Sequence, residues 1–90
     1  MAWTIELHPD AIKQLRALAR KDRTMAKRIT DYLADIEPAD DPRARGNGLA
    51  GPLTGLWRYR EGDWRVVVDI YDDAIVILAL DIEHRSRVSG

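Results

Sequence analysis

The chain has no cysteine among its 90 residues. Disulfides and thiolate metal sites are thereby excluded as what holds the fold, and a reducing cytoplasm is the natural compartment. Long apolar runs are missing as well, since none reaches the roughly 18 residues needed to span a bilayer. The opening residues, Met1-Ala2-Trp3-Thr4-Ile5-Glu6, lack the basic and apolar regions of a secretory signal, so a soluble cytosolic protein is expected. Net charge is almost absent: 14 Lys and Arg stand against 15 Asp and Glu, for −1. A general coat for a polyanion needs a large excess of cations, so any such site here must be local. Lysine is missing from the second half, where every cation after position 42 is arginine. Arginine offers a planar donor fork and lysine a hydrated point charge, although plain compositional bias would give the same count. No repeat or low-complexity tract occurs, and residues 1–90 read as a single domain that buries only about 60% of its unfolded surface or a little more.

Hydrophobic spacing supplies the elements. Ala2 to Leu7 alternates, with Trp3, Ile5 and Leu7 on one side, as a half-buried strand does. Pro9 suits the first turn of a helix, and His8 before it reads as a helix-entry residue. Ala11, Ile12, Leu15, Leu18 and Ala19 then recur at helical spacing, and after a break at Lys21 to Thr24 so do Met25, Ile29, Tyr32, Leu33 and Ile36, ending at Pro38 and Pro42. Pro38 to Gly55 reads as a long connecting loop. Three strand candidates follow, Leu56 to Arg60, Trp64 to Tyr71 and Ala74 to Ile82, with Asp72-Asp73 as the second turn. The order β, α, α, β, β, β predicts an α+β domain in which a helical hairpin packs on one face of an antiparallel sheet.

The segment from Gly55 to Arg65 carries Arg58, Arg60 and Arg65 around a tight turn at Glu61, Gly62 and Asp63. With Tyr59 opposite Trp64, or Arg60 opposite Asp63, Arg58 falls directly across from Arg65. Trp57, Tyr59, Trp64, Val66, Val68 and Ile70 then face the helices, together with Val76, Leu78 and Leu80, while Asp81, Glu83 and Arg85 join the arginine side. A bulged three-residue turn would flip one strand and remove this arrangement. Like charges paired across a sheet cost a few tenths to about 1 kcal/mol, so folding alone does not favour them and an anionic ligand would. Ordinary surface ion pairs to Glu61, Asp63, Asp69 and Asp81 are the alternative. A second cationic group, His84-Arg85-Ser86-Arg87, follows where the last strand should end.

The run Leu53-Thr54-Gly55-Leu56-Trp57-Arg58-Tyr59-Arg60-Glu61-Gly62-Asp63-Trp64-Arg65-Val66-Val67, followed by Ile75-Val76-Ile77-Leu78 and His84-Arg85, resembles the RelE/ParE superfamily of toxin–antitoxin toxins, and most closely its RelE-like messenger RNA interferase branch. The likeness extends to Trp3-Thr4-Ile5, the Ala11, Leu15 and Leu18 pattern, and the Pro42 to Gly51 loop. It implies the RelE-like fold and a toxin of a type II system, a ribosome-dependent endoribonuclease that inhibits translation and arrests growth. Cleavage without metal or other cofactor is implied: the RNA 2′-hydroxyl attacks the adjacent phosphate, with a base, a cationic clamp and an acid in attendance. On matching positions Arg58, Arg65, His84 and Arg85 would be the catalytic set, with Arg60 and Arg87 binding neighbouring phosphates. Arg58 is a clamp rather than a proton acceptor, because arginine stays protonated. His84 is the nearby side chain of a type that shuttles protons near neutral pH.

The same resemblance implies a cognate antitoxin, whose acidic, partly disordered segment would fold over the basic site. Messenger RNA on the ribosome would be the substrate, operator DNA would be reached only through the antitoxin, and no membrane is involved. Ser89 stands where many RelE-like toxins carry a terminal tyrosine. The ParE-like branch implies a different activity on the same fold, inhibition of DNA gyrase, and a weakened relative that mainly binds antitoxin is a further alternative.

Overall fold

A computed structural model describes residues 2–87, so Ser89 lies outside the described residues. After strand β1 (Thr4–Leu7), Pro9 opens helix α1 (Pro9–Lys21) at a position whose N–H would have no intrahelical partner in any case. His8 caps this helix, accepting the Asp10 amide on Nδ1 at 3.1 Å, the entry role expected of it. Arg20 and Lys21 in the last turn complement the negative end of the helix dipole. The expected four-residue break shrinks to Asp22, which serves both helices. Its backbone N–H donates to the Leu18 carbonyl at 2.7 Å, and its carboxylate caps α2 (Arg23–Ile36) by accepting the Met25 amide at 3.0 Å.

The sheet comprises β1, β2 (Asn47–Gly48), β3 (Trp57–Glu61), β4 (Trp64–Tyr71) and β5 (Val76–His84), in the spatial order β1-β5-β4-β3-β2. A helical hairpin lies against one face, as expected, but the sheet is mixed rather than wholly antiparallel because β1 pairs parallel to β5. Parallel neighbours need a long crossover, and the helices and intervening strands supply it. The segment from Pro38 to Gly55 is also more than a loop. It contributes β2, whose Asn47 and Gly48 pair with Arg58 and Trp57, and a 3-10 turn at Gly51–Leu53.

The core forms where Ala11 and Leu18 of α1 and Met25, Ala26, Ile29, Leu33 and Ile36 of α2 meet the covered sheet face, each buried Leu, Ile or Met side chain contributing about 1.5–3 kcal/mol. From β3 and β4 come Tyr59, Val66 and Val68, as alternation predicts. From β5 come Ile77, Ala79 and Ile82, not the expected Val76, Leu78 and Leu80. A bulge explains the correction: Val67 pairs with Asp81 but Val68 with Ala79, so Leu80 is an extra residue and the strand's alternation reverses there.

The segment before β2 is fastened to the back of β3. Tyr59 Oη donates to the Pro42 carbonyl at 2.6 Å and Trp57 Nε1 to the Arg45 carbonyl at 2.7 Å. Gly46 makes this approach possible, with φ +81° and a position at which a Cβ would sit 2.4 Å from the Arg58 carbonyl oxygen. Gly46→Ala must therefore displace backbone as well as adopt a left-handed conformation, and we expect a loss of about 2–3 kcal/mol, read as a fall in melting temperature of about 10 °C or more.

Candidate functional site

The β3–β4 hairpin closes through Gly62 and Asp63. Gly62 takes φ +57°, the pattern of a two-residue hairpin loop with glycine in first place. Glu61 consequently pairs with Trp64, Arg60 with Arg65 and Arg58 with Val67. The expected pairing of Arg58 across from Arg65 is thus corrected by two residues. A two-residue slip preserves parity, so Arg58, Arg60 and Arg65 still share one face. That face lies away from the helices, and across the strands its rows read Arg60–Arg65–Glu83 and Asn47–Arg58–Val67–Asp81.

Charge on this face is divided. Arginines occupy β3 and β4, while the carboxylates of Asp81 and Glu83 stand on β5. Among the described residues no ion pair within 4.0 Å involves Arg58, Arg60 or Arg65, and three of the four carboxylates that might have neutralised them are engaged elsewhere. Glu61 pairs with Arg28 of α2 at 2.8 Å and Asp63 with Arg85 at 3.5 Å. Asp81 accepts a hydrogen bond from the Gln14 amide of α1. Arg65 is held by its own hairpin, donating to the Gly62 and Trp64 carbonyls at 3.0 Å each. Burial, then the neighbouring Arg60 and Arg58 and more weakly Arg85, make its guanidinium easier to deprotonate than usual, against an opposing pull from Asp63. Cations this close disfavour one another's charged forms.

The end of β5 separates the remaining candidates. Arg85 and Arg87 are exposed in the 3-10 turn that follows the strand, and the Arg85 backbone N–H donates to the Asp63 carbonyl at 2.7 Å, tying it to the hairpin tip near Arg65. His84, by contrast, pairs with Trp64 and packs edge-on against its ring, with centroids 5.4 Å apart. It therefore lies on the helix side of the sheet, while Arg58, Arg60 and Arg65 lie on the other. Its Nδ1 accepts the Ser86 amide at 3.2 Å and sits 2.9 Å from the Ser86 hydroxyl.

Glu83, opposite Arg65, was not singled out by its residue type. Burial and then the hydrogen-bonded carboxyl of Asp81 raise its pKa above the ordinary glutamate value, with Arg87 pulling weakly the other way. The alternation expected of the last strand already puts Glu83 beside the arginines, and the register with Arg65 bears that placement out. Among the described residues, no three His, Cys, Asp or Glu side chains gather to hold a metal ion, and no helix is long and apolar enough to cross a membrane.

Residues 5–89 match the family described as the ParE toxin of type II toxin–antitoxin system, parDE. The chain belongs to this toxin family. It thereby falls within the RelE/ParE superfamily, and the solved structures agree. The archaeal RelE–RelB complex from Pyrococcus horikoshii OT3 is 25% identical, with a TM-score of 0.73 over 98% of this chain and 100% of that one. The free Escherichia coli toxin RelE bearing two Arg→Ala substitutions has a TM-score of 0.75 over 99% and 88%, at 21% identity. The YoeB–YefM complex from Staphylococcus aureus has a TM-score of 0.71 over 93% and 98%, also at 21% identity. At 21% identity the latter two carry the RelE-like fold alone. Among curated protein sequences none matches.

Proposed function

We propose that this toxin-family protein is an endoribonuclease that cleaves translated messenger RNA, holding the scissile phosphate on the open sheet face. The observation that carries the reading is the trio Arg58, Arg60 and Arg65, gathered on one face with no carboxylate partner within 4.0 Å among the described residues. In the reaction, the 2′-oxygen forms a bond to phosphorus as its proton leaves. The bond to the 5′-oxygen then breaks and that oxygen is protonated, giving a 2′,3′-cyclic phosphate and a 5′-hydroxyl end. Arginine forks aimed at the extra charge on the pentacoordinate phosphorus supply the electrostatic stabilisation. Arg85, released from Asp63, and Arg87 would extend the track to neighbouring phosphates.

Proton transfer falls to Glu83, the acid–base group in register with Arg65. Glu83→Gln should lower single-turnover cleavage by about 10²-fold. As a base, Glu83 is active when ionised, so wild-type cleavage should gain rate as pH rises through a limb lying above the ordinary glutamate pKa of 4.5, and Glu83→Gln should abolish that limb.

A cognate antitoxin would silence the site. The RelBE structure from Escherichia coli and the YoeB–YefM heterotetramer from Staphylococcus aureus are toxin–antitoxin complexes, and an acidic antitoxin segment would give Arg58, Arg60 and Arg65 the counter-charges they lack. Operator DNA would be bound by the antitoxin, since a chain of net charge −1 has no net excess of cations to offer.

Inhibition of DNA gyrase is the second reading. It is favoured by the family's description as ParE and by the position of His84 behind the sheet, which leaves the arginine face without an imidazole. Expression without antitoxin, with RNA ends mapped and gyrase supercoiling assayed in parallel, separates the two. New 5′-hydroxyl ends inside translated messages support the nuclease, whereas growth arrest with intact messages and blocked supercoiling supports the inhibitor.

A further inference from the structure

Around the end of the sheet from the arginines, a cleft of about 390 Å³ opens between α1 and the last residues of β5. Its floor is apolar, with Leu18 and Ile82 only 5% and 3% exposed. One wall is aromatic, formed by Trp64 and His84 at an interplanar angle of 84°. Lys21, Arg87 and Glu83, the last shared with the arginine row, stand among its lining residues. The walls are fixed before any ligand arrives. Gln14 accepts the Ile82 amide at 2.6 Å and donates to Asp81, and His84 is held by Ser86 as described.

The cleft is also next to the phosphate site. Trp64 and His84 form the register row immediately beside Arg65 and Glu83, one residue rise of about 3.3 Å along the strands and on the opposite face. As the first residue of β4 and the last of β5, they lie where those strands end. A polynucleotide with a phosphate on Arg65 can pass round that end. Flat rings over an apolar floor, with cations at hand for the adjoining phosphate, suit a nucleobase, because every base presents a π-face that aromatic side chains stack upon.

We infer that this cleft receives a nucleobase of the RNA strand held on Arg65, stacked on one ring of the edge-on Trp64–His84 pair. The inference rests on the proposed RNA-binding function and gives His84 a role in base contact, away from the reacting phosphate. Stacking of this kind contributes about tenfold or more in affinity.

The test uses a 2′-O-methyl trinucleotide, which lacks the attacking hydroxyl, and three analogues made abasic at each position in turn. Wild-type protein should bind one of the abasic analogues about tenfold more weakly than the intact trinucleotide. Ala17→Leu, which fills the cleft from the exposed side of α1, should bind the intact form and that analogue equally weakly while melting like wild type. Wild-type protein that binds all three abasic analogues as tightly as the intact form, while Arg65→Ala still weakens binding, would overturn the cleft assignment and leave the proposed function standing. Conversely, unchanged affinity in Arg65→Ala would remove the proposed function even if one abasic analogue binds weakly. Ala17→Leu that keeps full trinucleotide affinity but fails to co-purify with its antitoxin would reassign the cleft to a peptide and overturn the inference.

Discussion

Arg65→Ala should lower RNA cleavage by about 10²–10³-fold, the effect of removing a donor that stabilises charge developing in the transition state. Arg65 occupies the middle of its row, with Arg60 on one side and Glu83 on the other, and its guanidinium is fixed by two carbonyls of its own hairpin. Stability should move the opposite way, if at all. Removing one of two arginines that face each other relieves a repulsion of a few tenths to about 1 kcal/mol, so the variant should melt at the wild-type temperature or slightly above. Arg65→Lys should keep part of the binding and lose most of the rate, since an ammonium supplies the charge without the two-point fork. Single-turnover cleavage and thermal melting on the same preparations measure both quantities. Equal loss of cleavage and melting temperature would make Arg65 a structural residue.

Tyr59→Ala should destabilise the domain by about 4 kcal/mol, as truncation of a large buried aromatic does. The side chain is fully buried, its ring centroid lies 5.7 Å from that of Tyr32, and its hydroxyl fastens the connecting segment through Pro42. A domain of this size has only about 5–13 kcal/mol in total, so the loss is a large share. Tyr59→Phe keeps the ring and orphans the Pro42 carbonyl, for about 1–2 kcal/mol. Burial first, then the neighbouring Tyr32, pushes the phenol from 10.0 up to about 12. The folded protein therefore keeps this proton in the alkaline range where the unfolded chain has lost it. Stability from this source is intact below pH 10 and declines as pH rises through about 12. Tyr59→Phe should remove this alkaline decline. Urea titrations at neutral and alkaline pH check both statements.

Local pattern made much of this fold legible. The helices followed from their apolar spacing, and the hairpin from Glu61-Gly62-Asp63. The shared face of Arg58 and Arg65 survived a wrong register because the slip was even. What escaped detection had no local signature. Val76 to Leu80 is apolar at every position, so nothing in it marks Leu80 as the residue at which alternation reverses. The parallel pairing of β1 with β5 depends on a partner some seventy residues away, and β2 is two residues whose strand character comes from pairing with β3 rather than from side chains. The site was less legible than the fold. His84 stood out by chemical type, yet the alternation that brings Glu83 to the arginines turns His84 away from them.

The central claim is that the arginine face binds RNA through its phosphates, and the salt dependence of binding tests it most directly. A single-stranded ligand that releases counterions from Z phosphate contacts gives a slope of about −0.7Z in log affinity against log salt. Contacts from Arg58, Arg60 and Arg65 to a non-cleavable 2′-O-methyl RNA should contribute about −2 to the slope, which each single alanine variant makes shallower by about 0.7. A wild-type slope near zero, or one unchanged in Arg58→Ala, Arg60→Ala and Arg65→Ala, would contradict the account.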